Sequence, residues 1–304
     1  MMIFISHLKP DSYKNILMHS YWIGLLLLIY VLLNPAEGYT TSRWIDMGFF
    51  QFQPSEIIRL ILPLSIVAYL HRKESKIRLE DWLYTTIAAL ICSYLVFEQP
   101  DLGTSIIIGF VIFSMIFVSE IKIRNIVLIV LLVFLTFFLF LEAGLINENQ
   151  LDRINSFFSV DEDFQQSQSK LLISSGSLFG QYFELEKVSK IFVPVETTDF
   201  IFAAYAYNFG FIGVLLILFL WFVFFFRLTQ ILSISNSDFD KFVITGFITL
   251  LAFQIIVNIS TITGLLPLTG LPFPLLSLGG SSMVSTAVIF GITNRIFIEN
   301  NLVI

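Results

Sequence analysis

One stretch of the sequence marks where a long polar segment ends and a long apolar one begins: Val193-Pro194-Val195-Glu196-Thr197-Thr198-Asp199-Phe200. An ionisable side chain at the border between water and hydrocarbon is costly to keep there, which makes Asp199 a candidate functional residue. The alternative is that Asp199 only caps the following helix, because Thr and Asp side chains suit the first helical turn and its dipole. The stretch by itself favours neither interpretation.

The composition of the whole chain indicates a membrane protein. Of its 304 residues, 56% are hydrophobic and only 13% are charged, and the mean hydropathy is +0.85. A water-soluble domain needs more polar surface than this, so the composition predicts a polytopic membrane protein. The sequence contains no GxxxxGK[ST], CxxC or HExxH motif, and it therefore lacks the usual signatures of nucleotide and zinc chemistry.

Apolar runs long enough to cross about 30 Å of hydrocarbon as helices occur eight times along the chain. They lie at 16–33, 55–70, 82–97, 102–118, 126–141, 200–226, 242–262 and 279–298. We therefore predict an all-α polytopic membrane protein with about eight transmembrane helices. Residues 1–304 are expected to form a single integral membrane domain.

The distribution of Lys and Arg predicts the orientation of these helices. With the N-terminus inside, eleven basic residues fall in inner segments and five in outer ones, and both termini are cytoplasmic. Residues 142–199 then form one long extracytoplasmic loop with ten acidic and four basic residues, whose net charge of −6 equals that of the whole chain. Loops of this length are usually functional. Its segment 173–180 is expected to be a turn-rich return toward the membrane.

Two of the helices that run inward begin with similar residues, Gln53-Pro54-Ser55-Glu56 and Gln99-Pro100-Asp101-Leu102. Proline at the first helical position and an acid in the first turn are ordinary start signals, so capping explains these residues as well as function does. Capping does not explain Arg59, which lies three residues after Glu56 inside an apolar helix. A lone charge there costs about 2.5 to 3.5 kcal/mol, so we expect an ion pair between Glu56 and Arg59 within the bundle.

The apolar segment 263–282 is interrupted by three prolines and four glycines. Irregular backbone at membrane depth is tolerated only where protein or a water-filled cavity receives its polar groups. We interpret the segment as a re-entrant or surface-lying loop that forms the wall of a lipid groove. The alternative is a plain loop packed on the bundle.

Together these residues resemble the SEDS family (shape, elongation, division and sporulation) of peptidoglycan polymerases, which includes RodA, FtsW and SpoVE. Each matching block is weak alone, but their order and spacing are specific, and the chain looks most similar to RodA. The blocks are Arg43-Trp44-Ile45-Asp46-Met47-Gly48, Gln53-Pro54-Ser55-Glu56, Gln99-Pro100-Asp101-Leu102-Gly103-Thr104, Gln168-Ser169, Thr198-Asp199-Phe200-Ile201-Phe202, Gly210-Phe211-Ile212-Gly213 and residues 264–282.

The resemblance implies a glycosyltransferase that polymerises lipid II at the outer face of the bacterial cytoplasmic membrane, for cell-wall elongation and cell shape. Asp199 matches the family's essential carboxylate, and a carboxylate can accept the proton of an attacking sugar hydroxyl. The leaving diphosphate needs cationic or N–H donors, for which Arg43 is the first candidate. A divalent cation, Mg²⁺ or Mn²⁺, could share that task. The other predicted site residues are Gln53, Lys187, Lys190 and Ser281 for substrate binding, and Asp101 as a further motif residue.

Some positions depart from the family pattern. Members typically have ten membrane helices, and from the eight predicted runs we expect the first two to have no counterparts in these 304 residues. The family's acidic pair after the Asp199 block is Tyr207-Asn208 here, a histidine before it is Thr197, a lysine in the second span is Arg59, and a loop glycine is Tyr182. Asp199 itself is present, so we predict a catalytically competent enzyme.

The resemblance also implies partners: lipid II, membrane lipid and a class B penicillin-binding protein with transpeptidase activity. A nucleic-acid partner is not expected. A lipid II flippase is a competing hypothesis, but it should show paired charges along a path through several helices. This sequence has Glu56 and Arg59 in one helix and almost no charge in the later spans, which favours surface chemistry. A non-catalytic cell-wall scaffold is a third hypothesis, and it predicts that Asp199 can be replaced without loss.

Overall fold

The computed structural model describes residues 10–34, 43–46, 48, 51–73, 77–119, 121–142, 164–181, 198–235 and 237–301. Within these ranges the chain forms helices and a minimal hairpin. In chain order the elements are α1 Pro10–Leu33, β1 Ile45–Asp46, β2 Gln51–Phe52, α2 Pro54–His71, α3 Leu79–Glu98, α4 Leu102–Val118, α5 Ile123–Glu142, α6 Phe164–Ser175, α7 Ile201–Ile234, α8 Asp238–Ile262 and α9 Gly280–Asn301.

The helices have the length and apolar character of membrane spans. Six of them, α1, α2, α3, α7, α8 and α9, are long and apolar enough to cross a membrane, and α4 and α5 contribute shorter apolar helices. These eight helices correspond to the eight predicted runs. The chain is therefore a multi-pass helical membrane protein, and the predicted fold class is confirmed.

The core of the bundle lies where α2, α4 and α8 meet. A Cβ built on Gly246 of α8 would lie 3.4 Å from the Cβ of Pro63 and 3.5 Å from the Sδ of Met115, so the three helices pack closely there. In contrast, α7 exposes large apolar side chains such as Phe219 and Phe222. A helix that is apolar on its exposed face is expected where that face meets lipid.

A break in α7 is a feature that the apolar run 200–226 does not predict. Gly210 has φ 66° and ψ −168°, and the helix nevertheless continues to Ile234. Backbone N–H and carbonyl groups on either side of this break form hydrogen bonds with the turn that follows α6. The N–H groups of Phe211 and Ile212 donate to the carbonyls of Ser177 and Leu178 at 3.0 and 3.2 Å, and the N–H of Gln181 donates to the carbonyl of Tyr207 at 3.0 Å.

We call this arrangement of residues 176–181 and 207–212 the loop–helix seam. A Cβ on Gly180 would overlap the carbonyl oxygen of Asn208, and a Cβ on Gly210 would overlap the backbone nitrogen of Gly180. The seam therefore requires glycine at both positions. Of the turn-rich return predicted at 173–180, residues 176–180 lie outside any helix, whereas residues 173–175 belong to the end of α6, a helix that was not predicted.

The irregular segment between α8 and α9 has its backbone bonded by protein side chains. Gln254 Nε2 donates to the carbonyl of Pro272 at 2.6 Å, and Gln166 Nε2 donates to the carbonyl of Leu266 at 2.8 Å. Ser277 accepts from the N–H of Phe273 at 2.7 Å. The segment is thus supported by α6 and α8, which fits the rule that non-helical backbone in a membrane protein needs partners.

Candidate active site

Asp199 lies in a turn at 198–200, directly before α7. The N-cap of α7 is Phe200, whose carbonyl accepts the N–H groups of Ala203 and Ala204 at 2.9 and 3.3 Å. Asp199 precedes this position, so the helix begins without using Asp199 as its N-cap residue. The structure therefore gives less support to the capping interpretation than the sequence alone did.

A pocket of about 70 Å³ opens beside Asp199. Its walls come from the turn before α7, the C-terminal end of α8, the start of α6 and the irregular segment. The lining residues are Gln165, Asp199, Phe200, Asn258, Thr261, Leu268, Thr269, Gly270 and Leu271. Amide, hydroxyl and carboxylate groups thus share a small cavity at the end of an otherwise apolar bundle.

Arg43 approaches the same place from the hairpin side. A Cβ built on Gly270 would lie 3.6 Å from Oδ2 of Asp199 and 3.8 Å from Nη1 of Arg43. The guanidinium is held by its Nε, which donates to the carbonyl of Gln99 at 2.8 Å. Its Nη2 is buried and has no hydrogen-bond partner among the described residues. A cationic donor is therefore available next to the carboxylate.

Asp101 lies in a separate polar network at the start of α4. Its Oδ1 accepts the N–H of Thr104 at 3.2 Å, which is the bond of an N-cap residue. Its Oδ2 accepts from Gln53 Nε2 at 3.3 Å and from the hydroxyl of Ser55 at 3.2 Å. This carboxylate therefore ties the beginning of α2 to the beginning of α4.

Gln53 and Ser281 extend this network to α9. The N–H of Gln53 donates to Oγ of Ser281 at 3.0 Å, and the hydroxyl of Ser281 donates to the carbonyl of Gln51 at 3.3 Å. Neither residue lines the pocket beside Asp199. Lys187 and Lys190 lie outside the described residues. Substrate binding by these four residues stays a prediction.

Glu56 and Arg59 form an ion pair inside the bundle, and each is only 2% exposed. The hydroxyl of Ser285 in α9 lies 3.5 Å from Oε2 of the same glutamate. Nε and Nη1 of Arg59 are buried without partners in the described part of the chain. The pair is placed to hold α2 against α9 rather than to face the pocket.

The polar side chains of α8 and α6 that shape this site are not among the residues predicted from the sequence. Gln254 and Asn258 are one helical turn apart in an apolar helix, and both donate to carbonyls of the irregular segment. The signal was present in the sequence, because an amide pair at this spacing marks one polar stripe on a buried helix. Neither residue is charged, so the pattern of charged residues in the apolar helices does not reveal the stripe.

A second, larger cavity of about 320 Å³ lies along the loop–helix seam. It is lined mostly by apolar side chains from α6, α7 and the end of α8. Its lining residues are Ile173, Ser174, Ser177, Phe202, Ala206, Gly210, Phe211, Val214, Leu218, Ile259 and Thr263. Phe200 lines the polar pocket and Phe202 lines this apolar cavity, so the two cavities flank the start of α7.

The oxygen atoms around Asp199 are possible ligands for a hard divalent cation. Among the described residues there is no group of three or more His, Cys, Asp or Glu side chains that could hold a metal ion. The pocket offers one carboxylate together with amide and hydroxyl oxygens, which are ligands that Mg²⁺ and Mn²⁺ accept. A cation here would need further oxygens from a substrate such as a phosphate ester.

Comparisons with known proteins agree with this architecture. The family model FTSW_RODA_SPOVE, described as "Cell cycle protein", matches residues 1–302. Peptidoglycan glycosyltransferase MrdB of Escherichia coli K12 is 31% identical over 301 residues, which cover 97% of this chain and 81% of that protein. Probable peptidoglycan glycosyltransferase FtsW of Buchnera aphidicola subsp. Acyrthosiphon pisum is 31% identical over 292 residues, which cover 92% of this chain and 72% of that protein.

Solved structures give the same result. A chain from work described as "Structural coordination of polymerization and crosslinking by a peptidoglycan synthase complex" superposes with a TM-score of 0.80 at 26% identity, covering 98% of this chain and 85% of that one. The rod shape determining protein RodA of Thermus thermophilus superposes with a TM-score of 0.71 at 25% identity. The superposition covers 98% of this chain and 83% of that one.

Proposed function

Because the chain belongs to the FtsW, RodA and SpoVE family of cell cycle proteins, we propose that it is a peptidoglycan glycosyltransferase that polymerises lipid II. Lipid II is a disaccharide pentapeptide linked through a diphosphate to an undecaprenyl chain. Its polymerisation joins the sugar of one molecule to the sugar of another and releases the lipid diphosphate. The product would be the glycan strand used in cell-wall elongation and cell shape.

The observation that carries this proposal is the position of the Asp199 carboxylate, in a polar pocket and beside the Arg43 guanidinium. In the proposed reaction a sugar hydroxyl attacks the anomeric carbon of a second substrate while Asp199 takes the hydroxyl proton. The bond between that carbon and the diphosphate oxygen breaks as the new glycosidic bond forms. Arg43 would bind the diphosphate as its negative charge increases.

The ends of the helices add to this electrostatic arrangement. The helices α2, α4, α7 and α9 all begin at the end of the bundle that holds the pocket. The N-terminal end of a helix carries partial positive charge, so four helix starts favour an anionic group near this surface. Lys187 and Lys190 are proposed to contribute charge from the outer loop.

The apolar cavity supports a substrate that has a hydrocarbon tail. It lies next to the polar pocket, and Phe211, one of its lining residues, is exposed on the outside of α7. A substrate whose reacting sugar edge enters the polar pocket could therefore continue into an apolar chain along this face without crossing the bundle. The wall of the proposed lipid groove would include α7 as well as the irregular segment.

The proposed setting is the bacterial cytoplasmic membrane, with the pocket on the outer side and both termini in the cytoplasm. The excess of Lys and Arg in the opposite segments supports this orientation. The similarity to a chain from a peptidoglycan synthase complex supports a transpeptidase partner, which we propose is a class B penicillin-binding protein. If Mg²⁺ or Mn²⁺ is bound with the substrate, it would neutralise the diphosphate, and Asp199 would supply the carboxylate ligand from the pocket.

The test is to supply purified protein with lipid II and to compare wild type with Asp199→Asn for glycan products. Glu98→Gln is a matched control, because Glu98 is an exposed carboxylate at the end of α3 on the same side of the bundle. We expect polymer from wild type and Glu98→Gln and none from Asp199→Asn. Equal polymer from all three would remove Asp199 as the base, and transbilayer movement of lipid II without polymer would identify a flippase.

A further inference from the structure

Asn258 connects the turn that carries Asp199 to the irregular segment opposite it. Its Nδ2 donates to the carbonyl of Asp199 at 2.8 Å and to the carbonyl of Leu271 at 2.7 Å. Building on the proposed function, we propose that Asn258 is a positioning residue for Asp199 and that its amide oxygen accepts a hydrogen bond from the substrate. Its side chain is only 2% exposed, so these bonds are shielded from water.

The identity of the two amide atoms follows from their neighbours. Both carbonyls can only accept, so the atom that faces them must be the NH₂ group, and both of its N–H donors are used. The amide oxygen then points elsewhere, and it is buried without a partner among the described residues. Asn258 lines the pocket, and a buried acceptor without a partner needs an explanation, so we assign this oxygen to a donor of the bound substrate.

The donor that fits is a hydroxyl or amide N–H of the sugar. A carboxylate that removes a proton must meet the hydroxyl within hydrogen-bond distance, and a second acceptor nearby would orient that hydroxyl or its neighbour. Asp199 and Asn258 line the same pocket of about 70 Å³, which gives room for such a group but not for a whole disaccharide. The sugar would therefore enter this pocket with only its reacting edge.

The positioning role follows from the pair of carbonyls that Asn258 binds. One belongs to Asp199, and the other belongs to Leu271, next to Gly270, over which Asp199 and Arg43 converge. Asn258 therefore links the turn before α7 to the segment that supports the pocket, and it does so at Asp199 itself, whereas the hydroxyl of Ser277 donates to the neighbouring carbonyl of Thr198 at 2.6 Å. Because displacement of a reacting group by about 1 Å can cost roughly 10²-fold in rate, loss of this link should affect turnover strongly.

Gln254 provides a matched control on the same helix. It lies one turn earlier, is fully buried and donates through Nε2 to the carbonyl of Pro272 at 2.6 Å. It supports the irregular segment in the same way, but it has no described bond to Asp199 and does not line the pocket. A variant at Gln254 should therefore loosen the segment without freeing Asp199.

The experiment uses the full-length protein in lipid nanodiscs and compares wild type, Asn258→Leu and Gln254→Leu. Turnover at saturating lipid II, the Kd for lipid II and backbone hydrogen exchange at the start of α7 are measured. For Asn258→Leu we expect turnover to fall by about 10²-fold, because the base is displaced. We expect the Kd to weaken by about two- to tenfold, because one hydrogen bond is lost. Backbone hydrogen exchange at residues 200–204 should become faster only in Asn258→Leu.

Each outcome decides part of the proposal. The positioning role is wrong if Asn258→Leu and Gln254→Leu lose the same share of turnover and show equal backbone hydrogen exchange at the start of α7. Asn258 would then be only a structural support. An unchanged Kd would overturn the role of the amide oxygen. If Asn258→Leu does not fold, Asn258→Ser is measured in its place under the same criteria. Absence of polymer from wild type would reject the glycosyltransferase function itself, whereas an active wild type with a normal Asn258→Leu rejects only this inference.

Discussion

The carboxylate of Asp199 and the guanidinium of Arg43 converge above the α-carbon of Gly270, although they are far apart in sequence. From the position of a Cβ at Gly270, Oδ2 of Asp199 is 3.6 Å away and Nη1 of Arg43 is 3.8 Å away. Any side chain at this position would begin in van der Waals contact with both charged groups, and glycine leaves the space beside them open. This space is where the proposed reaction brings the sugar and the diphosphate together.

Gly270→Ala should lower both stability and turnover. Gly270 has φ +71°, and an L-residue in this left-handed conformation costs about 1 to 2 kcal/mol. The added methyl group would also occupy the space between Asp199 and Arg43. Gly48→Ala is the control, because Gly48 has φ +81° but no described atom within 4 Å of the added Cβ. We expect similar losses of stability and a loss of turnover only for Gly270→Ala, and equal turnover in both variants would contradict this.

Arg43→Ala should reduce turnover by about 10²- to 10³-fold, the cost of removing one donor to a developing negative charge. Arg43→Lys keeps the positive charge but cannot both reach the carbonyl of Gln99 and offer a second nitrogen, so it should be intermediate. Initial rates of polymerisation on lipid II give the measurement. A fully active Arg43→Ala would show that the diphosphate is bound by other groups.

Arg59→Ala should destabilise the protein by about 3 to 5 kcal/mol, because it leaves the buried Glu56 carboxylate without its partner. Arg59→Lys should be mild, since a cation remains within reach. The double variant Glu56→Gln/Arg59→Leu should recover part of the loss, because no unpaired charge is left in the bundle. Thermal unfolding in detergent measures all three, and an unchanged Tm for Arg59→Ala would count against the ion pair.

Gly180→Ala should open the loop–helix seam, because its Cβ would overlap the carbonyl oxygen of Asn208. We expect a lower Tm and faster proteolysis near residues 176–181. Gly109→Ala is the control for a glycine with space around it, since no described atom lies within 4 Å of its Cβ. That variant lies in α4 and should be neutral or more stable by up to about 1 kcal/mol. Equal Tm values for the two variants would argue that the seam is loose.

Chelation tests the proposed divalent cation. Treatment with EDTA should abolish polymerisation by wild type, and Mg²⁺ or Mn²⁺ should restore it. The pocket holds a single described carboxylate, so the cation should bind weakly to the protein alone and be retained mainly with the substrate. Full activity after exhaustive chelation would leave Arg43 and the helix ends to stabilise the diphosphate.

The membrane helices could be predicted from the sequence because hydrocarbon thickness dictates their length. The run 102–118 has the same bounds as α4, and the run 242–262 ends where α8 ends. The helix α6 could not be predicted in this way. Its sequence, Phe164-Gln165-Gln166-Ser167-Gln168-Ser169-Lys170-Leu171-Leu172-Ile173-Ser174-Ser175, is largely polar in its first half. This helix is held by tertiary bonds, among them those of Gln166 and Ser169 to carbonyls at the end of α8.

The site was predictable in part for a related reason. Asp199 is conspicuous because a charged residue borders an apolar run, and Arg43 belongs to a recognisable block. The role of Gly210 depends on a turn about thirty residues earlier, and that of Asn258 depends on two carbonyls in other segments. Such partners are set by the packing of the bundle, and no local pattern in the sequence specifies them.

The loop–helix seam is built from main-chain atoms, and this has a consequence for how the chain can diverge. Most replacements at Ser177, Leu178, Phe211 or Ile212 would leave the carbonyls and N–H groups of the seam in place. The insertion or deletion of one residue on either side would shift every pair out of register. We therefore expect the lengths of the two segments to stay constant over evolutionary time. Side chains at the seam should vary more, except at the two glycines and at Ser177 and Phe211, which line the apolar cavity.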